Sequence, residues 1–129
     1  MMETIKVLIV DDEEIVVQGI KKGLEQDPLY SVSTTLGGES SVQLCKNEHF
    51  DVVLVDLVMP GINGVETCRE IKKVSPDTEV LLISGFPREL EKYQTAFAEA
   101  GGRDFFLRKP VMTGEIADII SKIMKEKGR

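Results

Sequence analysis

The sequence predicts an α/β fold in which a five-stranded parallel sheet, in strand order 2-1-3-4-5, is covered by helices on both faces. Short, nearly continuous apolar runs recur along the 129 residues, and amphipathic helical patterns separate them. Strands that are apolar on both sides are typical of parallel sheets buried between two helical layers. Regular alternation of strand and helix, with right-handed crossovers, gives a doubly wound, three-layer sandwich of the flavodoxin-like kind with five helices.

The first part of the chain contains two predicted strands and two predicted helices. Residues 7–10 predict the first strand, and the apolar periodicity of residues 16–24 predicts the helix that follows it. Residues 30–36 predict a second strand, whose Ser and Thr content suits an edge of the sheet. A break at Gly37-Gly38 separates this strand from a short helix around residues 42–45.

The middle of the chain repeats the same alternation. Residues 52–55 predict the third strand, and Met59-Pro60-Gly61 predicts a loop because proline disfavours helix in the residue before it. Residues 65–71 carry the apolar spacing of a third helix, which Ser75-Pro76 ends. Residues 80–83 then predict the fourth strand.

The last part of the chain supplies one more strand and two more helices. Pro87 suits the first turn of a helix that runs over residues 88–100 and ends at Gly101-Gly102. Residues 105–107 predict the fifth strand, and residues 116–124 have the clearest amphipathic helical pattern in the chain.

Length and composition indicate one domain over residues 1–129, with no effector domain after the last helix. The net charge of -6 argues against direct binding to nucleic acid, which usually needs a basic patch. No apolar stretch reaches the roughly 18 residues of a membrane span, and residues 1–10 lack the basic region and cleavage site of a signal peptide. We therefore expect a cytoplasmic protein that does not bind membranes.

Polar side chains stand where the predicted strands end. Asp11-Asp12 follow the first strand, Asp56 the third, Ser84 the fourth, and Lys109 lies just beyond the fifth. In parallel sheets the carboxyl ends of the strands share one edge, and ligands bind there. Taken singly, each residue could be a helix cap or a turn. Together they predict one site.

The chemistry of this residue set favours phosphoryl transfer. Three clustered carboxylates repel one another unless a cation neutralises them, and Mg²⁺ prefers oxygen ligands. Lys109 adds a mobile positive charge that can reach a phosphate, and Ser84 adds a small donor. Asp56 stands alone at its strand end, so it is the candidate for a carboxylate nucleophile.

These motifs resemble the receiver domain of two-component response regulators. The resemblance rests on Asp11-Asp12, residues 56–61, Ser84-Gly85 and Lys109-Pro110, and it covers essentially the whole chain. It implies that a histidine kinase or a phosphotransfer protein phosphorylates Asp56. It also implies that Asp12 binds Mg²⁺ directly, with Mn²⁺ as a substitute.

The resemblance implies roles for further residues around the same site. Asp11 would act on the metal largely through water, and Asp56 and the Val58 carbonyl would complete the protein's ligands. Lys109, joined to Pro110 by a cis peptide bond, would pair with the phosphoryl group. Ser84 would bind a phosphoryl oxygen.

The resemblance also implies a switch and an output surface. Phe106 occupies the position of the family's switch aromatic, and the last two helices with the fifth strand would form the output surface. Partners would be a downstream protein target or a missing effector domain, and phosphorylation could produce a homodimer. The chain would be either a natural stand-alone receiver or one excised from a longer protein.

The sequence departs from the family pattern in three respects, one of which is that Val111 follows Pro110 where an aromatic residue is common. Ser84 and Lys109 are 25 positions apart, which is longer than is usual in the family, and the extra length lies in residues 86–102. Val58 and Phe86 lie two residues beyond Asp56 and Ser84, on the route of a hydrolytic water. We expect these two apolar side chains to shield the acyl phosphate and slow its hydrolysis.

Three other functions compete with this interpretation. An aspartyl-phosphate phosphatase needs an acid/base Asp at the position where this sequence has Val58. A nucleotide-binding protein needs a glycine-rich loop after the first strand, where this sequence has acidic residues. A phosphorylation-independent pseudo-receiver adaptor, acting by protein contact, remains the main alternative. The prediction is therefore a non-enzymatic receiver that catalyses only its own phosphorylation and dephosphorylation.

Overall fold

The computed structural model describes residues 3–129, so Met1 and Met2, which belong to the predicted domain range, lie outside it. Five strands and five helices alternate strictly along these residues, as the apolar patterns predict. Their bounds are β1 Ile5–Val10, α1 Glu14–Leu24, β2 Tyr30–Thr35, α2 Gly38–Asn47, β3 Val52–Asp56, α3 Gly64–Val74, β4 Glu79–Ser84, α4 Pro87–Glu99, β5 Phe106–Arg108 and α5 Thr113–Glu126.

All five strands form one parallel sheet in the order β2-β1-β3-β4-β5, which confirms the predicted topology. The direction of crossing reverses between β1 and β3, so the loops after these two strands diverge to opposite sides. The register pairs Val10 with Val55 and Asp56 with Ile83. The ends of β1, β3 and β4 are therefore level, and the residues that follow them meet at one edge.

Alternate residues of the central strands point into two separate apolar layers. Val7 and Ile9 of β1 face α1 and α5, whereas Leu8 and Val10 face α2, α3 and α4. Because consecutive side chains of a strand lie on opposite faces, a strand that is apolar at every position needs helices on both sides. The fully buried runs of β1, β3 and β4 meet that condition.

The boundaries differ from the predicted ones at a few positions. β2 ends at Thr35 and leaves Leu36 about half exposed, and β5 covers Phe106–Arg108 rather than residues 105–107. Gly38 already belongs to α2, and a Cβ at this position would collide with Thr67 and Ile62. The second glycine of the pair thus allows α2 to approach α3 closely.

The exposed edge of β2 is covered by side chains from α1. The Lys21 Nζ donates to the Val32 carbonyl at 2.8 Å, and the Val32 amide donates to the Glu25 carboxylate at 3.4 Å. Lys21 and Glu25 also form an ion pair of 3.2 Å with each other. The backbone groups of Val32 are therefore already bonded, although an edge strand normally leaves such groups unpaired.

Within residues 3–129, no helix is both long and apolar enough to cross a membrane.

Candidate functional site

The predicted site residues meet at the carboxyl edge of the sheet. Asp11 directly follows β1, Asp56 and Ser84 are the last residues of β3 and β4, and Lys109 directly follows β5. The Lys109-Pro110 peptide bond is cis, as predicted. Parallel pairing of the four strands brings these side chains together across about a hundred residues of sequence.

Three carboxylates form the centre of the site. One oxygen from each of Asp11, Asp12 and Asp56 lies within 4.8 Å of the others. Asp11 and Asp56 are buried, whereas Asp12 is exposed. An all-oxygen set that opens to solvent on one side fits Mg²⁺, which takes one or two carboxylates and keeps several waters.

Lys109 contacts two members of this acidic cluster. Its Nζ lies 2.6 Å from the Asp11 Oδ2, a charge contact without hydrogen-bond alignment, and 3.2 Å from the Asp56 Oδ2. It also donates a hydrogen bond of 3.0 Å to the Glu13 Oε1. Glu13 is anchored in turn, because its backbone amide donates to the Asp11 Oδ1 at 3.0 Å.

The pKa values of Asp56 and Lys109 are both raised by their surroundings. The pKa of the Asp56 carboxyl is raised to about 6, chiefly by burial and then by the charges of Asp11 and Asp12, against the opposing effect of Lys109. Burial would lower the pKa of Lys109, but its close contacts with the Asp11 and Glu13 carboxylates and the charge of Asp56 raise it above its ordinary range. One lysine does not neutralise the cluster, which favours a divalent cation.

Ser84 is buried beside the cluster with its hydroxyl in a defined position. Its Oγ accepts a hydrogen bond of 3.0 Å from the Phe86 backbone amide, in the turn that leads into α4. A hydroxyl can donate one hydrogen bond and accept others at the same time. The Ser84 proton is therefore free to be donated to an incoming oxygen.

The loop after Asp56 is held close to the cluster. Asn63 begins α3 with a capping box, in which its side chain accepts from the Glu66 amide at 2.9 Å. A Cβ on Gly64 would lie only 2.7 Å from the Asp56 carbonyl oxygen, so only glycine fits there. The Glu39 carboxylate reaches over from α2 and accepts from the Ile62 amide at 3.2 Å.

The remaining predicted residues lie on the elements and loops that surround the carboxylate cluster. Val58 and Phe86 are 43% and 59% exposed, on the loops that follow β3 and β4. Phe106 is half-buried and packs against the apolar layer under α4, where it lines a groove with Pro87 and Leu90. The structure thus places Phe106 on the α4 side of the sheet.

Three residues that support the site were not predicted from the sequence. Glu13 stands next to the Asp pair, but nothing in the sequence shows that Lys109, 96 positions away, donates to it. Gly64 is one glycine among eleven, and its need for close approach emerges only in three dimensions. Glu39 is on another helix, so its contact with the loop after Asp56 carries no local signal.

The chain belongs to the response regulator receiver family. The family model described as the response regulator receiver domain matches residues 7–121, which include every carboxylate of the cluster, Ser84 and Lys109. The resemblance inferred from the motifs is therefore confirmed. Membership supports a phosphoacceptor role in two-component signalling, and phosphorylation and Mg²⁺ binding are typical of the family.

Similar proteins include a longer response regulator protein and a longer transcriptional regulatory protein. The chain is 34% identical over 120 residues to the response regulator protein VraR of Staphylococcus aureus, covering 92% of this chain and 56% of that protein. It is 32% identical over 106 residues to the transcriptional regulatory protein DegU of Brevibacillus brevis, covering 81% and 44%. The chain spans about half the length of these relatives.

Solved receiver domains have the same fold. A response regulator receiver domain protein from Clostridium thermocellum matches with a TM-score of 0.84 and 31% identity, over 96% of this chain and 97% of that one. A CheY-like receiver domain protein from Methanospirillum hungatei JF-1 matches with a TM-score of 0.84 over 98% of both chains. Its 23% identity shows the shared fold alone.

Proposed function

We propose that this chain is a phosphoacceptor in which Asp56 receives a phosphoryl group from a histidine kinase or a phosphotransfer protein. The observation that carries the proposal is the contact of one buried carboxylate, Asp56, with both a lysine and two further carboxylates. A nucleophile, a cation that can follow the phosphoryl group and a set of metal ligands are thereby in one place.

Asp11, Asp12 and Asp56, with the backbone carbonyl of Val58, would hold Mg²⁺ or Mn²⁺. The fit rests on the all-oxygen donor set and on the pKa of Asp56, which the other two carboxylates raise. When bound, such an ion would supply positive charge for the phosphoryl oxygens and would favour the ionised form of Asp56.

The transfer itself needs no further catalytic group. An Asp56 carboxylate oxygen attacks the phosphorus atom, and the bond from phosphorus to the donor nitrogen breaks with its electron pair going to the imidazole. The product is an acyl phosphate with about two negative charges. Lys109, already within 3.2 Å of Asp56, pairs with that charge, and Ser84 donates its free proton to a phosphoryl oxygen.

The position of Ser84 suggests how phosphorylation would change the structure of the surface formed by α4, β5 and α5. Its hydroxyl holds the amide of Phe86 at the start of α4, so movement of Ser84 toward the phosphoryl group pulls on that helix. Phe106, half-buried beneath α4, can then rotate into the vacated space. The two positions of Phe106 would be the two states of a switch, and the charge of the phosphoryl group would shift the equilibrium between them.

The receiver domain would pass this change to a protein target or to an effector domain beyond this chain. A phosphorylation-dependent homodimer through the same surface is part of the proposal. The chain itself would not bind nucleic acid or membranes, and it would act in the cytoplasm, where a kinase has access to ATP. It would catalyse only the formation and loss of its own acyl phosphate.

Val58 and Phe86 would slow the loss of the phosphoryl group. Both side chains are apolar and exposed beside the acceptor, so they offer a hydrolytic water no hydrogen-bond partner. We expect Val58→Asn with Phe86→Glu to shorten the half-life of phosphate release. An unchanged half-life would refute this role, and the single exchange Leu36→Asn, at an exposed apolar residue elsewhere, is the control.

The test of the main proposal is a mass measurement. The protein is incubated with acetyl phosphate and Mg²⁺, and we expect a gain of one phosphoryl group that Asp56→Asn abolishes. Asp104→Asn, at an exposed position, should leave the gain intact. Absence of any adduct would instead favour a phosphorylation-independent adaptor.

A further inference from the structure

Lys109 has more anionic partners than its proposed role requires. Its ammonium group offers three protons, and three carboxylates lie within reach, at 2.6 Å for Asp11, 3.0 Å for Glu13 and 3.2 Å for Asp56. Asp11 and Asp56 belong to the metal-ligand cluster. Glu13 does not, so its contact with Lys109 needs a separate explanation.

The three partners differ in what happens to them when the site is loaded. The carboxylates of Asp11 and Asp56 would interact with the metal ion and the phosphoryl group. The Glu13 carboxylate is not among the proposed metal ligands, because its side chain is 61% exposed and stands outside the cluster. Its backbone amide donates to the Asp11 Oδ1 at 3.0 Å, which places the Glu13 residue at the edge of the cluster.

We propose that Glu13 is a positioning residue that competes with the incoming phosphoryl group for Lys109 and so selects against small dianionic phosphodonors. This inference rests on the proposed function. Glu13 and Asp56 bind the same nitrogen, so the Glu13 carboxylate is a neighbour of the place where the phosphoryl oxygens arrive. The Glu13 carboxylate repels a phosphodonor that has a high negative charge. It repels a phosphodonor with a positively charged leaving group less.

Two small donors separate this effect from a general disturbance of the site. Acetyl phosphate is a dianion near pH 7, whereas phosphoramidate carries a positive nitrogen beside its negative oxygens. In both reactions Asp56 forms the bond to phosphorus, and either acetate or ammonia leaves with the electron pair of the broken bond. Only the charge that approaches Glu13 differs.

The experiment compares apparent second-order rate constants for phosphorylation of the full chain with Mg²⁺. Glu13→Gln keeps a hydrogen-bond acceptor but removes the charge, and we expect it to accelerate the reaction with acetyl phosphate about two- to fivefold, the range of an exposed ion pair. The gain should be smaller with phosphoramidate and should shrink at high salt, which screens exposed charges. Glu14→Gln, one position further on at the start of α1, removes the same charge and should change neither rate.

A double-mutant cycle shows whether Lys109 transmits the effect. In a Lys109→Gln background, Glu13→Gln should give a much smaller gain, because there is no ammonium left to compete for. Equal rates for the wild type and Glu13→Gln, or the same change with both donors, would overturn the inference and leave the proposed function standing. A wild-type chain that takes up no phosphoryl group from either donor would overturn both.

Discussion

Replacement of Asp56 by asparagine should stabilise the metal-free protein at pH 8. The ionised carboxylate is buried beside two others, and this environment raises its pKa from 3.8 to about 6. Stability that a raised carboxyl pKa contributes is fully present below pH 4 and is lost as the pH rises through 6. At pH 8 the folded protein therefore carries the full penalty of the charge, and Asp56→Asn removes it.

The size of the effect follows from the shift of the pKa. The rise of the Asp56 pKa from 3.8 to about 6 corresponds to about 3 kcal/mol, at about 1.4 kcal/mol for each pH unit. The Asp56 side chain is only 6% exposed, so solvent screens little of this energy. The favourable contact with Lys109 is already included in the pKa. For a domain of this length the change corresponds to a rise in Tm on the order of 10 °C.

The assay is urea unfolding in EDTA at several pH values, followed by circular dichroism. The advantage of the Asn variant should be largest at pH 8, fall through pH 6 and vanish near pH 4. Asp104→Asn, which removes an exposed charge, should show no such profile. An Asn variant that is no more stable than the wild type at pH 8, or an advantage independent of pH, would refute the reasoning.

Two other predictions test the surroundings of the site. Gly64→Ala should destabilise the fold by about 1 to 3 kcal/mol and weaken Mg²⁺ binding in a titration, because the new Cβ would lie 2.7 Å from the Asp56 carbonyl oxygen. Gly114→Ala, which has open space around its Cβ, is the matched control, and equal effects of the two exchanges would contradict the prediction. Burial raises the pKa of Cys45 to about 11 and that of Cys68 to about 12, so a thiol reagent at pH 8 should modify neither until urea unfolds the chain. Rapid modification of the native protein would be inconsistent with that burial.

The fold could be predicted because its signal is repeated along the chain. β1, β3 and β4 are apolar at nearly every position, and only a sheet covered on both faces accommodates three such strands. The boundaries were harder to predict, because the ends of strands depend on pairing partners. β5 has three residues, and its register beside β4 decides that it includes Arg108 and omits Phe105.

The site could be predicted to the extent that it lies at strand ends. Asp11, Asp56, Ser84 and Lys109 each end or follow a strand, and topology alone brings them to one edge. Contacts made by side chains from elsewhere had no such signal. The bond from Lys109 to Glu13 depends on a side-chain conformation, which no periodicity encodes.

The Lys21–Glu25 pair also restricts how another protein can bind. A polypeptide that tried to join the sheet as a sixth strand beside β2 would find the amide and carbonyl of Val32 occupied. It would first have to break an ion pair and two hydrogen bonds, and the strand at the other edge, β5, has only three residues. The helices and loops are therefore the surfaces more readily available to a partner than the edges of the sheet.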